Sequence, residues 1–334
     1  MLQVRIHGPG KVSLDEVPMP ELGPRDALVR VKACGICGSD LGYIAYGGVG
    51  GPTRDPTPLG HEFAGVVERV GSAVTRHRPG QRVVVNPLPH GNMIGNGGAL
   101  GAFTPEVVVR DVEAGGLLFP IPDDLPYDLA ALAEPLGVGM HAVDRLQLAP
   151  GEQVAIFGAG PIGLMALAVL RWRGFDDVVV VDLSARRLAI ARELGAALAL
   201  DAGKGDIWGP LRELHGVEKW LGVVPTSGTH AYIEASGAPT VMGDLIREAR
   251  EGARIAVVAL HRKLQPIDFM PVMSKQLGIL GSMGYPDDYT EMVRMLGEVD
   301  LSPAITHRFP LARFEEALDT ARDASAAGKV IIEP

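Results

Sequence analysis

Between residues 154 and 173 the chain passes from an all-apolar run, Val154–Phe157, through Gly158-Ala159-Gly160-Pro161-Ile162-Gly163 into Pro161–Arg173, a segment with helical spacing. A Gly-x-Gly-x-x-Gly motif alone says little in a chain with 43 glycines. Its setting carries the weight: a strand before, a helix after, and an acidic residue, Asp182, closing the next apolar run at the separation of about 20 residues that dinucleotide sites show. Gly158 would allow the tight turn, Gly160 a close approach of backbone to a pyrophosphate, and Gly163 close packing of helix on strand. Pro161 and Ile162 open the helix, whose free N–H groups and dipole favour phosphate. Asp182 would accept hydrogen bonds from a ribose 2′-hydroxyl and repel a 2′-phosphate, which favours NAD. Arg186 and Arg187 pull the other way, because guanidinium groups there hold a 2′-phosphate, so NADP stays open.

The surrounding pattern predicts an α/β chain of two domains, the usual division for 334 residues. Up to about residue 110, short apolar stretches (Ala27–Val31, Phe63–Val70, Arg82–Asn86, Glu106–Val109) alternate with Gly- and Pro-rich turns, the texture of a β-rich, barrel-like module. From about residue 128 the texture changes. A helix is expected over Leu129–Leu146, followed by alternating apolar runs and helices: Val154–Phe157, Val178–Val181, Ala185–Leu194, Tyr232–Ala235 and Arg254–Leu260. Continuous apolar strands between helices point to a doubly wound parallel sheet covered on both faces. The end changes again, with helical spacing over Leu311–Ala321 and a last strand at Val330–Ile332.

Charge and hydropathy narrow the partners. With 31 basic against 40 acidic residues the net charge is −9, and no basic stripe appears, so nucleic acid is not expected as a partner. No run of 18 apolar residues occurs and the amino terminus lacks a signal-peptide pattern, so neither a membrane span nor secretion is expected. Two cysteines, Cys34 and Cys37, cannot staple a chain this long; a reducing, cytoplasmic setting is the expectation.

Those cysteines form Cys34-Gly35-Ile36-Cys37, followed by Gly38-Ser39-Asp40. A thioredoxin-like redox pair is disfavoured by the glycines around Cys37, and a four-cysteine structural zinc site fails on count. The remaining reading takes one thiolate together with ligands from elsewhere in the chain. Gly60-His61-Glu62 supplies an imidazole and a carboxylate side by side.

Taken in order, Cys37-Gly38-Ser39-Asp40, Gly60-His61-Glu62-Phe63-Ala64-Gly65, Glu134-Pro135-Leu136-Gly137 and the loop at 158–163 resemble the zinc-dependent branch of the medium-chain dehydrogenase/reductase superfamily, over essentially the whole chain. Glu134-Pro135-Leu136 with His141-Ala142 is most similar to the sorbitol-type polyol, butanediol and threonine dehydrogenases. The resemblance implies a GroES-like catalytic domain over 1–136 and 278–334, with a Rossmann domain inserted at 137–277. It implies one catalytic zinc held by Cys37, His61 and Glu62, with Glu134 as a further ligand or one that exchanges with Glu62. It gives Asp40 the part of orienting a ligand, Ser39 that of taking the alcohol proton, and Lys329 a place near the cofactor pyrophosphate. Cys34 is then a core thiol. A small alcohol or ketone is the implied substrate, and a homodimer or homotetramer the implied assembly, with Arg254–Leu260 and Ile279–Ser282 as the contact region.

Three departures from that pattern bear on the chemistry. The stretch 86–103 has no cysteine where many relatives carry a structural zinc lobe, so one zinc rather than two is expected, with a flexible glycine-rich loop in place of the lobe. Gly42 stands where relatives have a proton-relaying histidine. Gly38 stands where some have a basic phosphate contact. Tyr43, Ile44 and Phe103, with Tyr46, Phe63 and Met283, are candidates to line the substrate pocket or else to pack the core. The reaction expected is hydride transfer between a secondary alcohol or polyol and NAD(P). A threonine-type amino-alcohol dehydrogenase, a zinc-free quinone-reductase-like enzyme and a non-catalytic dinucleotide-binding relative are the competing readings.

Overall fold

The computed structural model describes residues 1–261 and 263–334. The chain divides into two compact units: Met1–Glu134 with Asp287–Asp323 and Ala327–Pro334, and Pro135–Pro286 with Ala324–Ala326. The second crossing lies later than the expected residue 278. Gly278–Gly281 pairs in parallel with Arg254–Val257, which keeps that strand in the second unit's sheet.

The first unit is built on a seven-stranded sheet in the order Ile305–Pro310, Lys329–Glu333, Ala27–Gly35, Glu62–Val70, Arg82–Val85 and Leu118–Pro120, with Glu106–Val109 also paired to Ala27–Gly35. The carboxy-terminal strand thus returns to the amino-terminal sheet, as the family resemblance implied. Val29, Val31, Phe63, Val67, Val83 and Val107 fill the core, and the exposed Arg30 and Lys32 alternate with buried neighbours as a half-covered strand requires. Two register shifts between Ala27–Gly35 and Glu62–Val70 bring Gly35 opposite Glu62 and Cys34 opposite Phe63. A hairpin, Leu2–Gly8 and Lys11–Glu16, forms a separate small sheet with Thr57–Pro58 that the sequence pattern did not announce.

The second unit holds a six-stranded, all-parallel sheet in the order Leu198–Asp201, Val178–Asp182, Val154–Phe157, Ala231–Glu234, Arg254–Val257 and Gly278–Gly281. In chain order these strands read 3-2-1-4-5-6, the doubly wound arrangement, with its switch point between Val154–Phe157 and Ala231–Glu234. The central strands are buried along their whole length, which is why they appear as uninterrupted apolar runs. The expected helix over 129–146 is two helices, Tyr127–Ala130 and Ala133–Leu146. A two-stranded hairpin, Val217–Trp220 and Val224–Ser227, was not anticipated.

The segment 86–103 corrects the expectation of a flexible loop. Ile94, Ala102 and Phe103 are fully buried, and backbone bonds tie Ile94 to Pro87, Gly95 to Leu100, Gly98 to Met93 and Ala102 to Gly60. Its glycines answer to close approach: a Cβ at Gly95 would lie 2.1 Å from the Gly60 oxygen, and one at Gly101 2.3 Å from the Leu59 oxygen. The lobe is therefore packed directly against the chain leading into His61.

Candidate functional site

In the first unit Cys37 precedes the helix Gly38–Tyr46, where the Asp40 carboxylate accepts from the Cys37 N–H at 2.9 Å. His61 and Glu62 enter the sheet at the start of Glu62–Val70, after a turn in which Gly60 takes φ +94° and a Cβ would strike the Phe103 nitrogen at 2.6 Å. Ligand atoms of Cys37, His61 and Glu62 all lie within 4.8 Å of one another. His61 and Glu62 are 3% and 0% exposed, while Cys37 is partly exposed. Gly35 makes room for the cluster, since a Cβ there would sit 2.1 Å from Glu62 Oε2.

The electrostatics of this cluster suit a cation. Burial, the largest influence on His61, opposes the charged ring, but the Asp40 carboxylate and Cys37 beside the ring outweigh it and hold the imidazole well above its ordinary range. Asp40 Oδ1 faces His61 Nδ1 at 3.5 Å, and both atoms are buried without a hydrogen-bond partner. Glu134, in the first turn of Ala133–Leu146, stands outside the three-residue ligand group. Burial, with Glu62 and Asp40 adding to it against His61 and Lys329, pushes its carboxyl up to about 7. A thiolate, an imidazole and a carboxylate around a shared point, with two more acids near, fit zinc, and Cys37, His61 and Glu62 are the residues that would hold it. Burial above all, with the Asp40 and Glu62 charges, raises the Cys34 thiol well above its usual range; it is a fully buried core residue.

Lys329 differs from its expected place at the cofactor phosphates. Its ammonium is buried in the first unit, donating to both Glu62 oxygens at 2.8 and 2.6 Å and to the Ile36 carbonyl at 3.1 Å. A fully desolvated carboxylate needs such a partner, and this demand overrides any role at a remote phosphate.

Ser39 Oγ lies 3.4 Å from His61 Nε2. Beside it the half-buried Tyr43 hydroxyl interacts with Ser39 and donates to Asn96 Oδ1 at 3.3 Å, a partner in the glycine-rich lobe that no sequence signal marked. Two pocket candidates are corrected. Ile44 shares the buried helix face with Asp40 and belongs to the core, and Phe103 is fully buried against Phe314 with ring centroids 5.1 Å apart. Phe63 is likewise core, while Tyr46 and Met283 are exposed.

In the second unit the loop 158–163 has the geometry its glycines require. Gly158 adopts φ +105°, and its Cβ would meet the Ala235 carbonyl carbon at 2.7 Å; a Cβ at Gly163 would lie 1.8 Å from the Gly158 oxygen. At Gly160, which precedes the helix Pro161–Trp172, a Cβ would meet only an Arg187 nitrogen, at 3.8 Å, so the space before that helix stays open. Asp182 ends its strand with one oxygen accepting from Ala159 N–H at 2.6 Å and the other from Ser184 N–H at 2.7 Å. Gly158, Gly160, Asp182, Arg187 and Ser236 face a cavity of about 750 Å³ at the carboxyl ends of the strands. Pro161 and Ile162 form the first turn of the helix without lining that cavity.

Comparisons with known proteins agree with this division. The alcohol dehydrogenase GroES-like domain matches residues 23–123, and the zinc-binding dehydrogenase model matches residues 161–298. Human (Homo sapiens) sorbitol dehydrogenase is 34% identical, over 96% of this chain and 92% of its own. The crystal structure of 2R,3R-butanediol dehydrogenase from Bacillus subtilis superposes with a TM-score of 0.87 at 29% identity, covering 100% of this chain and 99% of that one. A putative zinc-binding dehydrogenase from Sinorhizobium meliloti 1021, bound to NADP, gives 0.84 at 29% identity over 100% and 99% of the two chains. Joining a GroES-like unit that carries a Cys-His-Glu cluster to a doubly wound unit with a dinucleotide loop, the chain belongs to the zinc-dependent medium-chain dehydrogenases, a family of alcohol oxidoreductases.

Proposed function

We propose that the protein catalyses reversible oxidation of a secondary alcohol or polyol to the ketone, with NAD as the preferred cofactor and one zinc per chain. The observation that carries the reading is the Cys37–His61–Glu62 group, whose ligand atoms lie within 4.8 Å of one another, in a chain that also has Asp182 closing the second strand of a doubly wound sheet. When bound, zinc supplies Lewis acidity that lowers the pKa of a hydroxyl, and the nicotinamide accepts the hydride. The chain's own residues do the rest. Ser39 is the first acceptor of the hydroxyl proton, and Tyr43, beside it, takes the place of the missing histidine in passing that proton on. Asp40 fixes the His61 ring, and Lys329, donating to both carboxylate oxygens, keeps Glu62 oriented.

Asp182 supports NAD, since a carboxylate there accepts from ribose hydroxyls and repels a 2′-phosphate. Arg187 faces the same cavity, and a similar structure holds NADP, so both cofactors belong in the assay. Ile44 and Phe103 lie in the core, and the polar Tyr43–Asn96 pair remains near Ser39. This supports a substrate with more than one hydroxyl over a purely apolar alcohol, in line with the sorbitol and butanediol enzymes it is similar to. Exposed Phe269, Met270 and Met273 support assembly into a homo-oligomer through the second unit.

The experiment is zinc content per chain measured alongside reduction of NAD and NADP with sorbitol, 2,3-butanediol, threonine, 2-propanol and cyclohexanol. One zinc and fastest NAD reduction with a polyol or diol is the expected result. Turnover undiminished after complete zinc removal would refute the metal reading, and a preference for NADP would refute the part given to Asp182.

A further inference from the structure

Beyond the glycine loop, the second unit holds a buried acid–imidazole pair with no part yet in the chemistry. Glu234 ends the strand Ala231–Glu234 and is 0% exposed. Its Oε1 accepts from the Ser236 N–H at 2.9 Å, the Ser236 hydroxyl at 2.5 Å and the Gly237 N–H at 2.9 Å. Its Oε2 lies 2.7 Å from Nε2 of His261. An Oε2 that accepts here takes its hydrogen bond from Nε2–H, which in a singly protonated ring leaves Nδ1 as a hydrogen-bond acceptor. That Nδ1 is buried and has no hydrogen-bond partner among the described residues. A buried polar atom in that condition calls for a partner supplied from elsewhere.

Its position in the sheet says which partner. Val258 and Ala259 donate their N–H groups to the Glu234 carbonyl at 3.0 and 3.1 Å, and a Cβ on Gly237 would stand 3.5 Å from the Leu260 oxygen. Residues 235–238 and 258–261 therefore pack together at the carboxyl ends of two neighbouring strands. Ala235, Ser236 and Ala238 also face the cavity that Asp182 and Gly160 line on the far side of Val154–Phe157. A doubly wound sheet consists of two mononucleotide-binding halves, and a dinucleotide lies across the switch point with one nucleotide on each. Asp182 ends the second strand of the first half, the position that takes a ribose. His261 follows the second strand of the second half, Arg254–Val257, and is its counterpart.

We propose that His261, held by Glu234, is a binding residue for the nicotinamide-side ribose, its Nδ1 accepting a hydrogen bond from a ribose hydroxyl. The proposal rests on the dinucleotide reading above. Calorimetric titration of the full-length, zinc-loaded protein with ADP, ADP-ribose and NAD separates the two. ADP carries only the adenosine half, ADP-ribose adds the second ribose, and NAD adds the nicotinamide ring. His261→Phe is expected to weaken ADP-ribose and NAD by roughly three- to tenfold, the worth of one neutral hydrogen bond, and to leave ADP unchanged. His261→Asn, which keeps an acceptor near the Nδ1 position, should recover most of the loss. Equal weakening of all three ligands would mean a damaged crevice wall, weakening of NAD alone a contact to the ring amide, and no weakening no contact; each overturns the proposal. Failure of the unaltered protein to bind ADP-ribose would overturn the dinucleotide reading itself, and this proposal with it.

Discussion

Around Cys37 the chain gathers ionisable side chains and removes them from water, whereas around Gly158 it removes side chains and leaves backbone. The first site depends on what its residues are: a thiol, an imidazole, carboxylates and the Lys329 ammonium, each partly answering another's charge. The second depends on what its residues lack, since methyl groups at Gly158 and Gly163 would run into backbone. The two histidines buried in the two units show the same contrast. His61 is held above its ordinary range because the Asp40 charge outweighs burial, whereas His215, hydrogen-bonded to Thr229 and to the Asp177 carbonyl, is lowered chiefly by burial. Burial alone fixes neither sign; the neighbouring charge does.

Substitutions can break that contrast. Cys37→Ser should cost about a thousandfold in turnover, worth ~4 kcal/mol of transition-state stabilisation, and should empty the site of zinc by elemental analysis. Turnover close to the parent's in the zinc-free variant would show that the ionic cluster is structural only. Lys329→Met should lower unfolding free energy by about 3–5 kcal/mol in metal-free protein, because Glu62 is left buried without a counter-charge. Added zinc should restore part of this in urea titrations, since the ion supplies positive charge at the same carboxylate; an unchanged midpoint without metal would count against the charge argument.

The glycine site is tested by a pair of alanines. Gly163→Ala, whose methyl would lie 1.8 Å from the Gly158 oxygen, should destabilise the protein by about 1–3 kcal/mol. Gly160→Ala has room in the empty loop and should leave the melting temperature nearly unchanged while weakening NAD binding. If the two variants melted alike, the separate parts given to these glycines would fail. The smallest effect concerns pH. With its folded-state pKa below 6.5, His215 contributes stability that is fully present above 6.5 and lost as pH falls through that lower value. The urea midpoint should therefore fall between pH 7.5 and 5.5, and His215→Gln should flatten that slope. Metal-free His61, raised instead of lowered, should act oppositely: its stabilisation is full below 6.5 and is lost as pH rises through its folded-state value.

How much of this was legible in the sequence differs between the two sites. The parallel strands and the glycine loop could be read because a strand buried on both faces must be apolar throughout, and because the loop's requirements are local, spanning a few residues. The Cys37 and His61–Glu62 motifs were legible as residue types, but their arrangement depends on register shifts between two strands that no pattern displays. The pairing of Lys329 with Glu62 joins residues 267 positions apart, beyond any periodicity argument. Ile44 was misplaced although its spacing from Asp40, one helical turn, puts the two on one buried face. The stretch 86–103 misled because glycine density signals freedom in a solvated linker and confinement in a packed lobe, and sequence does not say which.

That packed lobe has a practical consequence. Its shape comes from interlocked backbone bonds and buried Ile94 and Phe103, with no thiol involved, so neither a thiol reagent nor a chelator has a handle on it. Attack by a thiol reagent falls on Cys37, since Cys34 is sealed in the core. Exchange of the ion that Cys37, His61 and Glu62 would hold should therefore leave the lobe folded, which would suit the protein to metal replacement with spectroscopically visible ions.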